Sequence, residues 1–211
     1  MKIYGIGGLG ADKRVFDFLK TDCEFIPIEW IEPSCGERLE EYSYRLSKVI
    51  DVAEPFCILG VSFGGLVAVE ISKILNPNIT ILISSIETKK ELRFVFRMIR
   101  KMKIIDILPA RLLIPNKKLV KFLFGTNLPI LNAILNSTDI HFVKWAAKEF
   151  VNWDNCDRVR NLLRIHGTHD KIIPWKGSAP VELVEKGQHF MIVDRATEIS
   201  QIINEYIKLN T

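Results

Sequence analysis

The sequence lacks any uncharged apolar run of about 18 residues, the length that a membrane-spanning helix requires. Its N-terminal residues, MKIYGIGGLG, contain no apolar core followed by a small-residue cleavage site, so we expect no secretory signal and a cytoplasmic location. Only four cysteines occur and none have CxxC spacing, which excludes a disulfide-dense scaffold. The net charge of +4 is too small, taken alone, to indicate nucleic acid or a membrane as a partner.

The composition is typical of a globular protein. Hydrophobic residues make up 48% of the 211 positions and charged residues 26%, which excludes disordered, collagen-like and fibrous classes. We find no internal repeat and no low-complexity segment. The length predicts one domain with a sizeable core, or one domain that carries an insert.

Short apolar segments alternate with helical patterns towards both ends of the chain. The predicted strands are 2–5, 24–30, 56–61, 79–84, 162–166 and 181–184. The predicted helices are 14–20, 37–50, 64–75 and 195–209. Strands that alternate with helices predict an α/β fold with a mostly parallel, doubly wound sheet.

One long stretch breaks this alternation. Residues 88–150 have helical spacing throughout, show no strand pattern and are interrupted by Pro109, Pro115 and Pro129. We predict a helical insert over 88–150, after the fourth strand, in a core that is formed by 1–87 and 151–211.

The strongest motif is Gly60-x-Ser62-x-Gly64-Gly65, between the apolar strand 56–61 and the helix 64–75. A sharp strand-to-helix turn forces the serine backbone into a strained conformation, and the glycines let neighbouring chain segments approach closely. The Ser62 hydroxyl then stands at the positive end of the following helix. The pattern predicts a nucleophilic serine, and an incidental serine in a glycine-rich turn is the alternative.

A nucleophilic serine needs a base, and the base needs an acid that orients it. His189 follows the last predicted strand, and Asp170 follows the strand before it. Both therefore belong to loops at the carboxyl edge of the sheet, the edge where open α/β sheets bind ligands. The sequence predicts a triad of Ser62, Asp170 and His189, in that chain order.

Other acids and one possible metal motif compete with this assignment. Asp154 and Asp157 precede a strand, which puts them at the opposite edge, and Asp194 is predicted to cap the last helix. His166-x-x-His169 has the spacing of metal ligands, but no matching third cluster accompanies it. We therefore predict no metal site.

The N-terminus offers a different function. Gly5-Ile6-Gly7-Gly8-Leu9-Gly10 matches the dinucleotide-binding pattern G-x-G-x-x-G, and Glu29 lies about where a ribose-binding acid is expected. Pro27 interrupts the second strand, and a dinucleotide site leaves the Ser62, Asp170 and His189 loops without a role. The alternative is a dinucleotide-binding protein that uses Gly5, Gly7 and Gly10.

Taken together, these motifs resemble those of the α/β-hydrolase fold superfamily. The segments GVSFGG, GTHDKIIP and KGQHF are similar to the family's nucleophile, acid and histidine loops, and GIGGLGADKRVFDFL to its oxyanion loop. The resemblance spans 1–85 and 157–209, although Gly7-Gly8 stands where the family usually has His-Gly. It implies that the chain begins at the family's third strand and that the insert is the lid.

The resemblance and the residues together predict a serine hydrolase that cuts a carboxylic ester or thioester through an acyl-enzyme, without a cofactor. The backbone N–H groups of Leu9 and Phe63 are the predicted oxyanion hole. Gly60, Gly64 and Gly65 are the predicted glycines of the turn. A hydrolase-fold binding protein that does not use its triad is a further alternative.

The net charge is unevenly distributed. Residues 88–150 carry thirteen Lys and Arg against four Asp and Glu, a net charge of +9, which leaves −5 for the rest of the chain. Apolar residues alternate with these charges, so the insert is expected to cover a pocket for a small acyl substrate. Contact with an anionic substrate or a membrane surface is the alternative, and nucleic acid is not expected because no base-reading motif accompanies the charge.

Overall fold

The computed structural model describes residues 1–113, 116–175 and 179–210. Its centre is one sheet of six strands in the order β2-β1-β3-β4-β5-β6, and every neighbouring pair is parallel. The strands are β1 (Lys2–Ile6), β2 (Glu24–Ile28), β3 (Phe56–Val61), β4 (Ile79–Ile83), β5 (Leu162–Gly167) and β6 (Glu182–Val184). The α/β fold with a parallel sheet is therefore confirmed.

Nine α-helices accompany the sheet within the described residues. They are α1 (Leu39–Ser47), α2 (Phe63–Leu75), α3 (Phe94–Lys101), α4 (Ile104–Ile107), α5 (Lys117–Phe124), α6 (Pro129–Ser137), α7 (Ile140–Asn152), α8 (Met191–Asp194) and α9 (Ala196–Asn210). The helix predicted over 14–20 is instead a 3-10 turn over Lys13–Phe16. The helix predicted over 37–50 ends at Ser47, so Val49 lies outside it and is 61% exposed, not on its buried face.

The sheet has a hydrophobic core on each face, as a doubly wound architecture requires. Leu59 and Val61 of β3 pack on one face with residues of α8 and α9. Ile58 of the same strand packs on the other face with residues of α1 and α2. All six residues of β3 are buried, because a central parallel strand is covered on both sides. Pro27 is tolerated in β2 because this strand lies at the edge of the sheet.

The described part of the segment between β4 and β5 is helical. It contains α3 to α7 and two 3-10 turns, Lys89–Glu91 and Ala110–Leu113, with no strand among the described residues. Pro109 follows the end of α4 and Pro129 begins α6, whereas Pro115 lies outside the described residues. Pro109 and Pro129 match helix boundaries because the residue before each of them is held in an extended conformation.

The segment is tied to the core by buried polar contacts. A Glu149 carboxylate oxygen of α7 accepts a hydrogen bond from the Leu39 backbone N–H (3.0 Å) at the start of α1. The Trp153 indole N–H donates to the Glu70 carboxylate of α2 (2.8 Å). These contacts fix α7 beside α1 and α2, next to the carboxyl ends of β1 and β3. Within the described residues, no helix has the length and hydropathy that a membrane crossing needs.

Candidate active site

Ser62 occupies a strained turn between β3 and α2. Its φ of 52° is positive, a backbone conformation that is costly for a residue with a side chain. The Ser62 N–H donates to the Ile83 carbonyl (2.9 Å), and the Ser62 carbonyl accepts from the Gly65 N–H (2.9 Å) and from the Ser85 hydroxyl (2.6 Å). These bonds from β4 and α2 hold the turn in place.

The three glycines of the motif are needed because other atoms fill the space of a side chain. A Cβ on Gly60 would overlap the Gly64 carbonyl, and a Cβ on Gly64 would overlap the carbonyls of Gly7 and Ile6. A Cβ on Gly65 would overlap the Ser85 side chain. The turn therefore packs directly against the loop after β1 and against the end of β4.

The side chains of Ser62, His189 and Asp170 form one chain of hydrogen bonds. The Ser62 Oγ lies 2.9 Å from His189 Nε2, and His189 Nδ1 lies 2.8 Å from Asp170 Oδ2. Asp170 follows the end of β5 and His189 follows the end of β6, so their loops meet at the carboxyl edge of the sheet. The geometry brings together the three residues that the sequence singled out.

Asp170 is buried but well supplied with hydrogen-bond donors. Its Oδ1 accepts from the backbone N–H groups of Ile172 (2.9 Å) and Ile173 (2.9 Å). Burial by itself raises the pKa of Asp170, but the bond from His189, the Ile173 N–H and the nearby His166 outweigh it and hold the pKa below its usual range. The carboxylate therefore stays charged beside the imidazole.

The other acids and histidines that the sequence offered are not part of this chain of hydrogen bonds. Asp154 pairs with Lys89 (2.8 Å) and Arg100 on the surface, away from Ser62. Asp194 accepts a hydrogen bond from the Thr126 hydroxyl (3.0 Å) and does not cap α9, because it ends α8 instead. His166 is buried against the Ile173 carbonyl, and its burial lowers its pKa, whereas His169 is exposed.

Two backbone N–H groups flank Ser62. Phe63 is the first residue of α2, where no helical carbonyl precedes its N–H. Leu9 lies in the loop after β1, and no acceptor within the described residues bonds its N–H. The neighbouring Gly8 lies so close that a Cβ there would be 3.5 Å from Ser62 Cβ. Leu9 and Phe63 line the same cavity as Ser62, and their role as an oxyanion hole stays a prediction.

Ser62 and His189 open into an apolar cavity of about 520 Å3. Its floor comes from the sheet edge, and most of its wall comes from the helical segment, including Phe96, Ile105 and Phe150. The Phe124 ring stands edge-on to the His189 ring, with centroids 5.3 Å apart. The apolar residues that the sequence placed between the charges of the segment thus divide between this cavity and the surface.

The glycine loop after β1 is not followed by an α-helix. The next element is the 3-10 turn over Lys13–Phe16, so the loop does not lead directly into the α-helix whose N-terminus binds the pyrophosphate in a dinucleotide-binding fold. The Glu29 carboxylate is exposed and pairs with Lys13 (2.9 Å). This geometry does not favour the dinucleotide alternative.

The sequence pattern missed Ser85, which bonds the Ser62 carbonyl, and the buried Arg164. Ser85 has no motif around it, and its role depends on the neighbouring strand end. Arg164 is an arginine inside an apolar strand, 4% exposed, which is an unusual residue in such a position. A single arginine between apolar residues is a signal that the sequence itself contains, and it identifies Arg164 as a candidate functional residue.

Structural comparison places this architecture among known proteins. No family model matches the sequence, and a search of curated proteins finds no relative. Solved structures do match: a lipase-esterase related protein from Clostridium acetobutylicum has a TM-score of 0.71 at 15% identity, over 97% of this chain and 93% of that one.

Two further structures agree with it. A thermophilic esterase from Thermogutta terrifontis has a TM-score of 0.70 at 13% identity, over 100% of this chain and 90% of that one. A bromoperoxidase from Bacillus anthracis has a TM-score of 0.74 at 14% identity, over 98% of this chain and 91% of that one. These structures match the fold over nearly the whole chain, and the chain has the α/β-hydrolase fold.

Proposed function

We propose that the protein is a serine hydrolase that cuts a carboxylic ester or thioester through an acyl-enzyme. The observation that carries this proposal is the unbroken chain of hydrogen bonds from Ser62 Oγ through His189 to Asp170, at 2.9 and 2.8 Å. The chain opens into an apolar cavity that can hold an acyl group. The esterase and lipase names among the structures of the same fold agree with a hydrolase.

The first half of the proposed reaction forms the acyl-enzyme. Ser62 Oγ attacks the carbonyl carbon while His189 Nε2 takes the hydroxyl proton. Asp170 holds the imidazole through Nδ1 and stabilises the imidazolium that forms. The tetrahedral oxyanion accepts hydrogen bonds from the N–H groups of Leu9 and Phe63, each worth roughly 3–4 kcal/mol of transition-state stabilisation.

The second half releases the product. The imidazolium gives its proton to the departing alcohol or thiol, and His189 then activates a water that attacks the acyl-enzyme. The acid leaves and Ser62 regains its proton. These steps use side chains and backbone groups of the chain alone.

The helical segment between β4 and β5 is proposed to act as a lid. Phe96, Ile105 and Phe150 exclude water from the reacting carbonyl because they cover the cavity above Ser62. The size and shape of the cavity then determine the length of acyl group that the enzyme accepts.

Hydrolysis of short 4-nitrophenyl esters tests the proposal. We expect Ser62→Ala to abolish turnover while circular dichroism and the melting temperature stay close to those of the wild type. A fluorophosphonate probe is expected to modify Ser62, as mapped by mass spectrometry. An adduct on another serine, or turnover that survives Ser62→Ala, would contradict the triad.

Ester turnover with labelling, and a thermal-shift measurement, distinguish the remaining alternatives. A folded wild-type protein without ester turnover and without labelling at Ser62 would indicate a binding protein of the same fold. A melting temperature that rises with NAD or NADP, but not with ester analogues, would favour dinucleotide binding.

A further inference from the structure

A second cavity, of about 610 Å3, lies beside the apolar one. It is bounded by β5, by the 3-10 turn over Lys89–Glu91, by the start of α3 and by the loop from Ile173 to Trp175. Its wall contains five cationic side chains, namely Lys90, Arg93, Arg97, Arg158 and Arg164. Glu91 is the carboxylate on this wall within the described residues, so the cavity is strongly basic.

The deepest of these cations is Arg164 of β5. Its guanidinium faces Glu87 (3.7 Å) and Glu91, and it lies over the Trp175 ring at 4.3 Å. Its Nε is buried and has no hydrogen-bond partner among the described residues. A buried, unsatisfied donor is costly, and the Trp175 ring and the two carboxylates hold the guanidinium in this position.

The other four cations are not neutralised. Lys90, Arg93, Arg97 and Arg158 have no carboxylate within ion-pair distance in the part of the chain that the structure describes. Arg93 donates instead to the Lys171 carbonyl (2.9 Å), which fixes one edge of its guanidinium and leaves the other free. Several cations around one concave site favour an anion that can accept from more than one of them.

The two cavities share part of their wall. Arg93 and Ile173 line both of them, and Ile173 belongs to the loop that follows Asp170. A ligand whose carbonyl lies at Ser62 could therefore place an apolar part in one cavity and a charged part towards the other. The chemistry of the walls separates the two parts, because hydrocarbon is favoured in the first and an anion in the second.

We propose that the basic cavity binds a phosphate group on the leaving-group side of the substrate, which makes the substrate an acyl thioester or ester of a phosphate-bearing thiol or alcohol. This inference rests on the proposed hydrolase function. Guanidinium groups match phosphate oxygens with paired N–H donors, and phosphate offers enough acceptors for several of them. For a thioester, the C–S bond breaks as the Ser62 ester forms, His189 protonates the thiolate, and water then releases the carboxylic acid.

Two thioesters with the same reacting group test this selectivity. Butyryl-coenzyme A carries phosphates, and butyryl-N-acetylcysteamine presents the same thioester without them. We expect kcat/KM to be at least about tenfold higher for the coenzyme A ester, since hydrogen bonds to charged groups contribute about this much or more. Equal values for the two thioesters would overturn the inference.

Paired variants assign the preference to the cavity. Arg97→Gln with Arg158→Gln removes two exposed cations of its wall, and we expect the ratio of the two kcat/KM values to fall about tenfold. Arg111→Gln with Arg160→Gln makes the same change of charge outside the wall and should keep the wild-type ratio. A fall of the same size in both double variants would indicate general attraction and overturn the inference.

A binding measurement separates this inference from the proposed function. Calorimetric titration of coenzyme A into the Ser62→Ala protein needs no turnover, and we expect binding that Arg97→Gln with Arg158→Gln weakens. Such binding in a protein that hydrolyses neither thioester would overturn the hydrolase and keep the phosphate site. Hydrolysis of both thioesters at equal rates, without binding, would keep the hydrolase and overturn the phosphate site.

A third pair of substrates tests which end of the substrate is charged. Mono-4-nitrophenyl adipate has a carboxylate on its acyl part, and 4-nitrophenyl hexanoate has an acyl part of the same length without it. We expect the uncharged ester to be preferred, because the acyl part lies in the apolar cavity. A preference for the adipate would overturn the assignment of the anion to the leaving group.

Discussion

The Ser85 hydroxyl donates a 2.6 Å hydrogen bond to the carbonyl of Ser62. Ser85 lies two residues beyond the end of β4, so this bond links the end of one strand to the turn after its neighbour. The position of Ser85 also explains why residue 65 is a glycine, because a Cβ on Gly65 would overlap the Ser85 side chain. Ser85 is therefore a positioning residue for the strained turn.

Removal of this hydroxyl should affect both stability and rate. We expect Ser85→Ala to lower the free energy of unfolding by about 1 kcal/mol, the usual contribution of one hydrogen bond. The kcat for a 4-nitrophenyl ester should fall about fivefold, because a loss of that size in the transition state corresponds to this factor. Urea unfolding and steady-state kinetics measure the two effects.

Ser72→Ala is the matched control. The Ser72 hydroxyl also donates to a backbone carbonyl, that of Ala68 (2.7 Å), and it bonds the buried Thr80 hydroxyl (2.8 Å), but it lies on α2 away from the cavity. Because two bonds are broken, this variant should lose at least as much stability as Ser85→Ala, without loss of kcat. If both variants lower kcat equally, Ser85 has only a structural role.

Asp170→Asn should inactivate the protein without unfolding it. An asparagine Oδ1 can keep the bonds from the Ile172 and Ile173 N–H groups, whereas its amide N–H would face His189 Nδ1 and favour the wrong tautomer. We expect kcat to fall about 10³- to 10⁴-fold, with a smaller change in KM.

Asp157→Asn gives the comparison for this change. Asp157 is exposed, precedes β5 and is not among the described residues that line the apolar cavity, so the variant makes the same substitution outside that cavity. It should retain wild-type kcat. Equal activity of the two variants would show that Asp170 does not orient the base.

His166 makes the stability of the fold depend on pH. Its burial lowers its pKa below the ordinary value of 6.5, and Asp170, His189 and Arg164 are the ionisable groups that face it. In the unfolded chain it takes up a proton at a higher pH than in the folded protein. The stabilisation is therefore complete above about pH 6.5 and is lost as the pH falls below that value.

The free energy of unfolding in urea at pH 7.5 and pH 5.5 measures this effect. We expect it to decline more steeply for the wild type than for His166→Gln. His169→Gln removes an exposed imidazole three residues away and should decline as the wild type does. Equal declines in the wild type and His166→Gln would contradict the prediction.

The surface of the helical segment predicts attraction to anionic lipid. Residues 88–150 combine a net charge of +9 with exposed apolar side chains such as Phe94 and Ile107. We expect co-sedimentation with vesicles that contain phosphatidylglycerol, to a degree that rises with the anionic fraction and falls with salt. No binding at low salt would contradict it.

Two single substitutions locate this contact. Ile107→Ser removes a side chain that is 78% exposed on the segment and should weaken co-sedimentation. Leu209→Ser removes one that is 83% exposed on α9, outside the segment, and should not. An equal effect of both would indicate nonspecific adsorption.

Local sequence pattern was sufficient for the sheet and for the three side chains that are hydrogen-bonded at its carboxyl edge. Each strand had an apolar run of the right length, and Ser62, Asp170 and His189 each followed one at the same edge. Parallel strands bring such loops together whatever the rest of the chain does. The motif glycines could be assigned because close approach of backbone leaves no alternative residue.

The sequence could not give the contacts that depend on packing between distant segments. The partnership of Ser85 with Ser62 depends on strand order, and the two cavities depend on how five helices cover the sheet. Local propensity also overstated the length of α1, which ends at Ser47 and leaves Val49 outside it and exposed. Side-chain periodicity does not encode such limits.

The loop after Asp170 has two duties. The N–H groups of Ile172 and Ile173 donate hydrogen bonds to the Asp170 carboxylate, and the side chains of the same residues line the apolar cavity. A change there that alters substrate size would also disturb the base, whereas the helical segment can change without that cost. Laboratory evolution towards longer substrates should therefore collect substitutions on the helices and leave residues 170–173 as they are.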